Sequence, residues 1–258
     1  MIAIFSLGVI SAPAQDWAKA RLQSSPRHLE WVTVKNGSRE VKCYIGFPER
    51  KDKAPAILVI HEIFGHTDWV RSVVDELAEA GYIAIAPDLL SGMGPNGGGS
   101  AELGDGVGKV INTITDAQLD GDLDAAAAYV TAEPSCNGKL AVVGFCWGGG
   151  KSYIYAAHNP KLSAALVFYG PPPKHDILAS IKAPVYGFFG GNDARITAGV
   201  PTVTEQMKAA GKRFDPVVYE GAGHGFMRAG EDPNDKNPAN KKARDEAWTR
   251  VKAILAKL

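Results

Sequence analysis

The sequence predicts an α/β protein with one mostly parallel central sheet, helices on both of its faces and an antiparallel hairpin at its N-terminal edge. Several apolar runs are continuous, which is typical of strands buried on both faces of a parallel sheet. Helical patterns alternate with these runs from residue 56 to the end of the chain, as expected of a covered parallel sheet. Since a single α/β unit can reach 258 residues, we assign residues 15–258 to one domain.

The predicted strands comprise an N-terminal pair and six that follow it. The segments "HLEWVTV" and "REVKCYIGF" form the pair, and they are joined through Asn36-Gly37, a dipeptide that favours a tight antiparallel hairpin. The six later strands are "AILVIHE", "GYIAIAP", "KLAVVGF", "SAALVFYG", "APVYGFFG" and "FDPVVYEG".

Apolar residues at helical spacing predict the helices between these strands. The first covers residues 68–79, with Thr67 or Asp68 available as N-cap and Gly81 closing its end. The others are expected over residues 117–130, from about Trp147, over residues 202–210, and after Asn237-Pro238, which suits the N-cap and first position of a terminal helix.

The N-terminal segment "MIAIFSLGVISAPAQDW" joins a short apolar run to Ala12-Pro13-Ala14, which resembles the cleavage site of an exported protein. Residues 1–14 are therefore a candidate signal peptide, which would make the protein periplasmic or secreted. No basic region precedes the run, so the alternative is an ordinary apolar segment and a cytoplasmic protein. The run is too short for a membrane-spanning helix, and no other stretch approaches the roughly 20 apolar residues that one requires.

Charge and composition favour a small molecule as the partner. Lys and Arg total 28, Asp and Glu also total 28, and the pI is about 7.0. No general electrostatic field is thus available to hold nucleic acid or an anionic membrane. A neutral surface is compatible with either a monomer or a homodimer, and the sequence leaves that choice open.

The cysteines and histidines do not suggest a metal site or a disulfide framework. The three cysteines, Cys43, Cys136 and Cys146, match neither the spacing of a zinc knuckle nor a dense pattern of disulfides. His61 and His66 lack further ligands at suitable spacing, so we expect no zinc. Cys43 alternates with apolar residues and is expected to be buried, whereas Cys136 is expected in a loop.

A glycine-rich segment, "SGMGPNGGGSAELGDGVG", covers residues 91–108. It contains too much glycine to hold a rigid conformation by itself. It follows the carboxyl end of a predicted parallel strand, the edge at which open α/β sheets bind ligands. A mobile flap over an active site and a disordered surface loop are both consistent with this pattern.

The most informative motif is Gly144-Phe145-Cys146-Trp147-Gly148, which matches the nucleophile-elbow pattern with cysteine in place of serine. A predicted strand precedes it and a predicted helix follows, as the motif requires. The helix N-terminus favours a thiolate, so we expect the pKa of Cys146 to be lowered. The backbone N–H of Trp147 could stabilise an oxyanion. The alternative is that Cys146 is only a small apolar residue in a turn.

Two partners of this cysteine follow in the chain. Asp193 lies in "FFGGND" and His224 in "YEGAGHGF", each directly after a predicted strand. The order nucleophile, acid, histidine is that of the α/β-hydrolase fold, in which the histidine takes the proton of the nucleophile and the acid orients the imidazole. We therefore expect the α/β-hydrolase fold and a catalytic triad of Cys146, Asp193 and His224.

The segment "HEIFG", residues 61–65, follows the first buried parallel strand, where this fold keeps its second oxyanion-hole loop. The backbone N–H of Ile63 is the expected donor. A carboxylate at this edge, Glu62, could touch the thiol or a substrate, and the alternative is a solvated loop glutamate.

Together these residues resemble the dienelactone hydrolase (carboxymethylenebutenolidase) family of α/β hydrolases. The resemblance runs from about residue 28 to the C-terminus and depends on "HEIFG", "GYIAIAPDLL", "GFCWGG", "GGNDARI" and "GAGHGFMR", in that order. It implies a triad of Cys146, His224 and Asp193 that acts on enol-lactones or related esters without a cofactor.

The resemblance also implies roles for groups around the triad. The glutamate at the position of Glu62 contacts the resting thiol and is displaced by an anionic substrate, and one of two substrate-binding arginines corresponds to Arg228. The second arginine should follow "PDL", where this chain has Ser91 and Gly92. Arg195 could substitute for it, or could be a solvent-exposed residue.

The sequence thus predicts a hydrolase that cleaves a small ester or lactone through an acyl-enzyme on Cys146, and its substrate need not be dienelactone. Two alternatives remain open: a binding protein that has the same fold without catalysis, and a peptidase or acyl transferase of the same fold, since an acyl-enzyme can pass to acceptors other than water.

Overall fold

The computed structural model describes residues 15–258, so the candidate signal peptide lies outside the described residues. Within them, strands are found at β1 (Leu29–Asn36), β2 (Arg39–Gly46), β3 (Ala54–Ile60), β4 (Ile83–Pro87), β5 (Cys136–Phe145), β6 (Ala164–Phe168), β7 (Val185–Gly190) and β8 (Phe214–Tyr219). They form one sheet in the order β1-β2-β4-β3-β5-β6-β7-β8.

The sheet has the predicted antiparallel edge. β1 pairs with β2 in a hairpin closed by Asn36 opposite Arg39, and Gly37 in its turn has a φ of 59°. β2 is antiparallel to β4, and every later pairing in the sheet is parallel. The predicted α/β-hydrolase architecture, with its antiparallel N-terminal hairpin, is confirmed.

The α-helices of the described residues are α1 (Asp16–Ser24), α2 (Asp68–Glu79), α3 (Ser100–Leu103), α4 (Val107–Val110), α5 (Asp116–Ala132), α6 (Trp147–His158), α7 (His175–Ser180), α8 (Ala194–Thr197), α9 (Val200–Ala209), α10 (Phe226–Ala229) and α11 (Pro238–Leu255). The predicted bounds of α2 are correct. Asn237 caps α11 as predicted, because its side chain accepts from the N–H of Ala239. Neither α1 nor α7 was predicted, because both lack a clear apolar stripe.

The core has two layers, one on each face of the sheet. The apolar residues of α5, α6 and α9 cover one face, and those of α1, α2 and α11 cover the other. All residues of β3 are buried, as the continuous apolar run predicted. Cys43 is buried in β2, whereas the loop predicted around Cys136 is wrong, because Cys136 is the first residue of β5 and pairs with Ala54.

The glycine-rich segment has more order than its composition suggests. It contains α3 and short 3₁₀ turns at Pro95–Gly97 and Gly104–Gly106, and α4 begins at its end. Ser100 anchors the segment to neighbouring loops. Its hydroxyl donates to the Asp88 carboxylate at 2.6 Å and accepts from the backbone N–H of His66 at 2.9 Å. The choice between a flap and a surface loop stays a prediction.

Among residues 15–258, no helix combines the length and the apolar character that crossing a membrane demands.

Candidate active site

Cys146 lies on a sharp turn between β5 and α6. Its φ is 56°, a left-handed value that side chains other than glycine rarely adopt. Backbone hydrogen bonds hold the turn, from the Cys146 N–H to the Phe168 carbonyl at 3.0 Å and from the Gly150 N–H to the Cys146 carbonyl at 3.2 Å. A side chain at Gly144 would collide with the carbonyl of Gly148, which explains glycine there. The geometry is that of a nucleophile elbow.

His224 and Asp193 meet Cys146 at the carboxyl edge of the sheet. The Nε2 atom of His224 lies 3.1 Å from the Sγ atom of Cys146, and its Nδ1 atom lies 2.5 Å from Oδ2 of Asp193. The Asp193 side chain is 5% exposed and that of His224 is 31% exposed. The structure therefore brings the three predicted residues into one hydrogen-bonded chain, with its acid buried and its histidine reachable by substrate.

The loop that carries His224 is fixed by asparagines. The side-chain oxygen of Asn240 accepts from the Gly223 N–H at 2.8 Å, and the Asn192 N–H donates to the Ala222 carbonyl at 2.9 Å. Asn240 lies in the first turn of α11, and no sequence motif marks it. Its role follows only from the packing of α11 against this loop.

The thiol of Cys146 is held in its neutral form. Burial is the main cause and the nearby Glu62 carboxylate the second, and together they raise the pKa of Cys146 to about 11. The backbone N–H groups of Trp147 and Ile63 act in the opposite direction and lower it. The expected lowering of this pKa is wrong, because desolvation and a like charge outweigh the helix terminus.

Glu62 and Arg228 form a buried ion pair beside the thiol. The Nε atom of Arg228 donates to Oε2 of Glu62 at 2.8 Å, and the side chains are 18% and 3% exposed, respectively. The Arg228 guanidinium also lies over the ring of Phe64, with 5.2 Å to the ring centre. The solvated loop glutamate considered for Glu62 is therefore excluded, since this carboxylate is buried against an arginine.

Tyr169 is a site residue that the sequence did not suggest. It directly follows β6, its side chain is fully buried, and its ring packs edge-on to the His224 imidazole with 5.1 Å between ring centres. A tyrosine at the carboxyl end of a parallel strand is the signal that could have identified it, because that edge carries the site.

Ser91 and Gly92 stand where the resemblance implies a second arginine. The hydroxyl of Ser91 donates to the Asp88 carbonyl at 2.6 Å and accepts from the Lys42 N–H at 3.0 Å, and Gly92 has a φ of 75°. Both residues thus shape the turn after β4. Arg195 is exposed on α8, yet it lies near enough for its charge to help lower the pKa of Cys146.

The two histidines of the β3 loop have structural contacts. His61 stacks on Trp147 with 5.6 Å between ring centres, and its Nδ1 lies 2.9 Å from the Glu62 carbonyl. The Nε2 atom of His66 lies 3.0 Å from the Ala86 carbonyl. Burial lowers the pKa of both, that of His66 to about 4. Within residues 15–258, no three His, Cys, Asp or Glu side chains are arranged to hold a metal ion.

A groove of about 250 Å³ begins at Trp147, next to the elbow. Its walls are mainly apolar and are formed by Trp147, Gly150, Lys151, Ile154, Pro171, Pro172 and Pro173. A larger cavity of about 560 Å³ lies between α1, α10 and α11, and the triad does not line it. The groove adjoins the elbow through Trp147, the residue that follows Cys146.

Known proteins resemble this chain in sequence. Residues 41–258 match the dienelactone hydrolase family. The chain is 37% identical over 198 residues to a "Putative carboxymethylenebutenolidase" of Methylorubrum extorquens, covering 72% of this chain and 68% of that protein. A protein of the same name from Yersinia pestis is 33% identical over 217 residues, with 80% and 81% covered.

Solved structures of similar proteins superpose on this chain. The crystal structure of a "Putative Dienelactone Hydrolase" from Klebsiella pneumoniae superposes with a TM-score of 0.77 at 31% identity, covering 90% of this chain and 99% of that one. A dienelactone hydrolase-like promiscuous phosphotriesterase, P91, from metagenomic libraries has a TM-score of 0.73 at 21% identity over 90% and 98%, and shares the fold. The chain therefore belongs to the dienelactone hydrolase family of ester and lactone hydrolases.

Proposed function

We propose that this protein hydrolyses small esters or enol-lactones through a thioester formed on Cys146. The observation that carries the proposal is the chain of hydrogen bonds from Asp193 through His224 to the Cys146 sulfur, with 2.5 Å and 3.1 Å between the paired atoms. Such a chain can remove a proton from the thiol and return it to a leaving group.

The acylation step begins with transfer of the thiol proton to Nε2 of His224. The sulfur then attacks the carbonyl carbon, and the carbonyl oxygen takes the negative charge, facing the N–H groups of Trp147 and Ile63. When the tetrahedral intermediate collapses, the bond from carbon to the ester oxygen breaks. That oxygen takes the proton from His224, and in a lactone it stays attached to the same molecule.

Deacylation reverses these roles. His224 takes a proton from water, the resulting hydroxide attacks the thioester carbon, and the sulfur leaves as the intermediate collapses. The thiolate then recovers a proton from His224, and a carboxylic acid is released. Asp193 orients the imidazole throughout and stabilises its charged form. No cofactor enters either step.

Arg228 is the proposed contact for a carboxylate of the substrate. It is the cation already paired with Glu62 next to the sulfur, so an anionic substrate that binds there competes with Glu62. Moving that carboxylate away removes one of the two main causes of the high pKa of Cys146. Because Ser91 and Gly92 supply no second cation, the preferred substrate need not be dienelactone, and the apolar groove at Trp147 accommodates its uncharged part.

Hydrolysis of a substrate panel tests the proposal. The panel holds cis- and trans-dienelactone, neutral aryl acetates and simple lactones, and it is applied to the wild type, to Cys146→Ala and to Cys136→Ala as a buried cysteine outside the site. We expect Cys146→Ala to lose activity by on the order of 10³-fold or more, and Cys136→Ala to keep it.

Activity that survives in Cys146→Ala would exclude the thioester route. If neither protein turns over any member of the panel and a ligand is retained tightly, the binding-protein alternative is favoured. Transfer of the acyl group to an added amine or alcohol in preference to water would instead favour the acyl transferase.

A further inference from the structure

The loop that carries His224 depends on its neighbours for its shape. Two glycines of this loop, Gly221 and Gly225, have φ values of 73° and 74°, in the left-handed region that glycine tolerates. Such a segment has little conformational preference of its own, so the groups that bond it decide its geometry. The imidazole lies 3.1 Å from the sulfur of Cys146 and 2.5 Å from Oδ2 of Asp193, and both distances depend on where the loop is held.

Asparagine side chains hold this loop from two sides. From the turn after β7, the side-chain N–H of Asn192 donates to the Gly221 carbonyl at 3.0 Å. From the start of α11, the side-chain N–H of Asn237 donates to the same carbonyl at 2.9 Å. Asn240 bonds nearest to the histidine, because its oxygen accepts at 2.8 Å from the N–H of Gly223, the residue directly before it.

Both ends of the Asn240 amide are in use. Its oxygen accepts from Gly223, and its N–H donates to Oδ2 of Asp235 at 2.8 Å. The residue is 7% exposed, so the loss of either partner is costly. An amide is the side chain of this size that accepts at one end and donates at the other. Aspartate would set a second carboxylate against Asp235, and leucine would leave the Gly223 N–H without its acceptor. The two partners therefore require asparagine at this position.

We propose that Asn240 is a positioning residue that sets the His224 imidazole for proton transfer, and that Asp235 fixes the orientation of its amide. This inference rests on the proposed function. Asn240 acts through the backbone at Gly223. Because His224 moves protons in both acylation and deacylation, a displaced imidazole slows both steps, and a displacement of about 1 Å can cost on the order of 10²-fold in rate.

The test compares Asn240→Ala with Asn36→Ala. Asn36 ends β1, at the opposite edge of the sheet from β8, and its side chain donates to the Asp122 carboxylate at 3.0 Å. It is therefore a matched asparagine that bonds a carboxylate away from the site. The measured quantities are kcat and KM for a neutral aryl acetate and for an anionic ester, at a temperature well below the Tm of each variant.

We expect Asn240→Ala to lower kcat roughly ten- to hundredfold on both substrates, and Asn36→Ala to keep it within about twofold. KM should change by less than about threefold in both variants, because acylation and deacylation slow together and the contacts that bind substrate are kept.

An exchange of the two polar partners separates positioning from a loss of packing. Asn240→Asp keeps an acceptor for the Gly223 N–H, and a carboxylate suits the first turn of α11, but it faces Asp235 with a like charge. Adding Asp235→Asn restores a donor at that contact. We expect the single variant to lose kcat about tenfold, and the double variant to recover it to within about threefold of the wild type.

Three results overturn the inference. They are a kcat in Asn240→Ala equal to that of Asn36→Ala, a loss confined to KM or to one substrate, and a double variant that stays as slow as Asn240→Asp. Should Asn240→Ala fail to fold, the last comparison decides by itself. A wild type that hydrolyses nothing, or activity that survives in Cys146→Ala, overturns the proposed function and this inference with it. Full activity in Asn240→Ala, with none in Cys146→Ala, overturns the inference alone.

Discussion

Two of the buried arginine–carboxylate groups among residues 15–258 differ in how many partners each arginine has. The first is the site pair, Glu62 and Arg228, joined at 2.8 Å. The second, which we call the helix clasp, centres on Arg244 of α11, which bonds Glu76 of α2 and, at 3.1 Å, Glu231 after α10. The two arginines are similarly buried, with 18% and 15% of their side chains exposed.

The difference shows that burial of an ion pair does not identify its role. In the helix clasp, Glu231 also lies 3.4 Å from the indole N–H of Trp69, and Arg21 of α1 approaches Glu76 at 3.7 Å. Each charge there has several partners, which is the arrangement of a structural contact between helices. Among residues 15–258 the site pair has one hydrogen bond, and the Cys146 thiol lies beside it. Because Arg228 has only this one hydrogen bond, it is the arginine that we propose exchanges its partner for a substrate carboxylate.

The largest expected effect on stability comes from breaking the helix clasp. Arg244→Met leaves Glu231 buried without its cation and Glu76 with only Arg21, 3.7 Å away, so we expect the free energy of unfolding to fall by about 3–5 kcal/mol. Urea denaturation measures this, with activity assayed below the transition. Arg228→Met is the counterpart in the site pair and should lower the free energy of unfolding less, because only one buried carboxylate, Glu62, loses its cation. An equal loss of stability in Arg244→Met and Arg228→Met would contradict the view that the helix clasp, and not the site pair, is the structural contact.

The site pair should instead show its effect in substrate preference. Arg228→Ala removes the proposed contact with a substrate carboxylate, so the ratio of kcat/KM for anionic esters to that for neutral esters should fall about ten- to hundredfold, mainly through KM. Steady-state kinetics on paired substrates measures it, and Arg195→Ala serves as a comparison for the exposed arginine near the thiol. Equal losses on anionic and neutral esters would exclude the role of Arg228.

The smallest effect is expected on the pKa of Cys146. Glu62→Gln removes one cause of its elevation, and the pKa should fall below about 11, whereas Glu79→Gln on exposed α2 surface should leave it unchanged. The rate of alkylation by iodoacetamide as a function of pH measures the shift. An unchanged midpoint in Glu62→Gln would show that burial alone sets the pKa.

The elevated pKa also makes stability depend on pH. A thiol whose pKa is raised in the folded state contributes stability that is complete below its ordinary value of about 8.5 and is lost as the pH rises through about 11. In Glu62→Gln the loss should begin at the same pH, because the unfolded thiol is unchanged, but it should be smaller and end at a lower pH, and Cys146→Ala should lack this contribution.

Much of the fold and the chemistry of the site followed from local sequence. Continuous apolar runs gave the parallel strands, and the elbow pattern placed Cys146, because both features depend on short-range spacing. The positions of Asp193 and His224 directly after strands identified them as candidates. The sequence did not predict the helix α1, because its burial depends on contacts with α2 rather than on an apolar pattern of its own. The pKa of Cys146 depends on desolvation and on the charge of Glu62, which is distant in sequence, and a linear pattern contains neither.

The central claim, that Cys146 becomes acylated, can be tested by rapid mixing with an aryl acetate in excess, acid quenching and mass spectrometry of the intact protein and its peptides. The account predicts a transient mass increase of one acyl group, located on the peptide that contains Cys146 and absent from Cys146→Ala. Turnover of the ester by the wild type with no adduct on any peptide, or with the adduct on another residue, would contradict it.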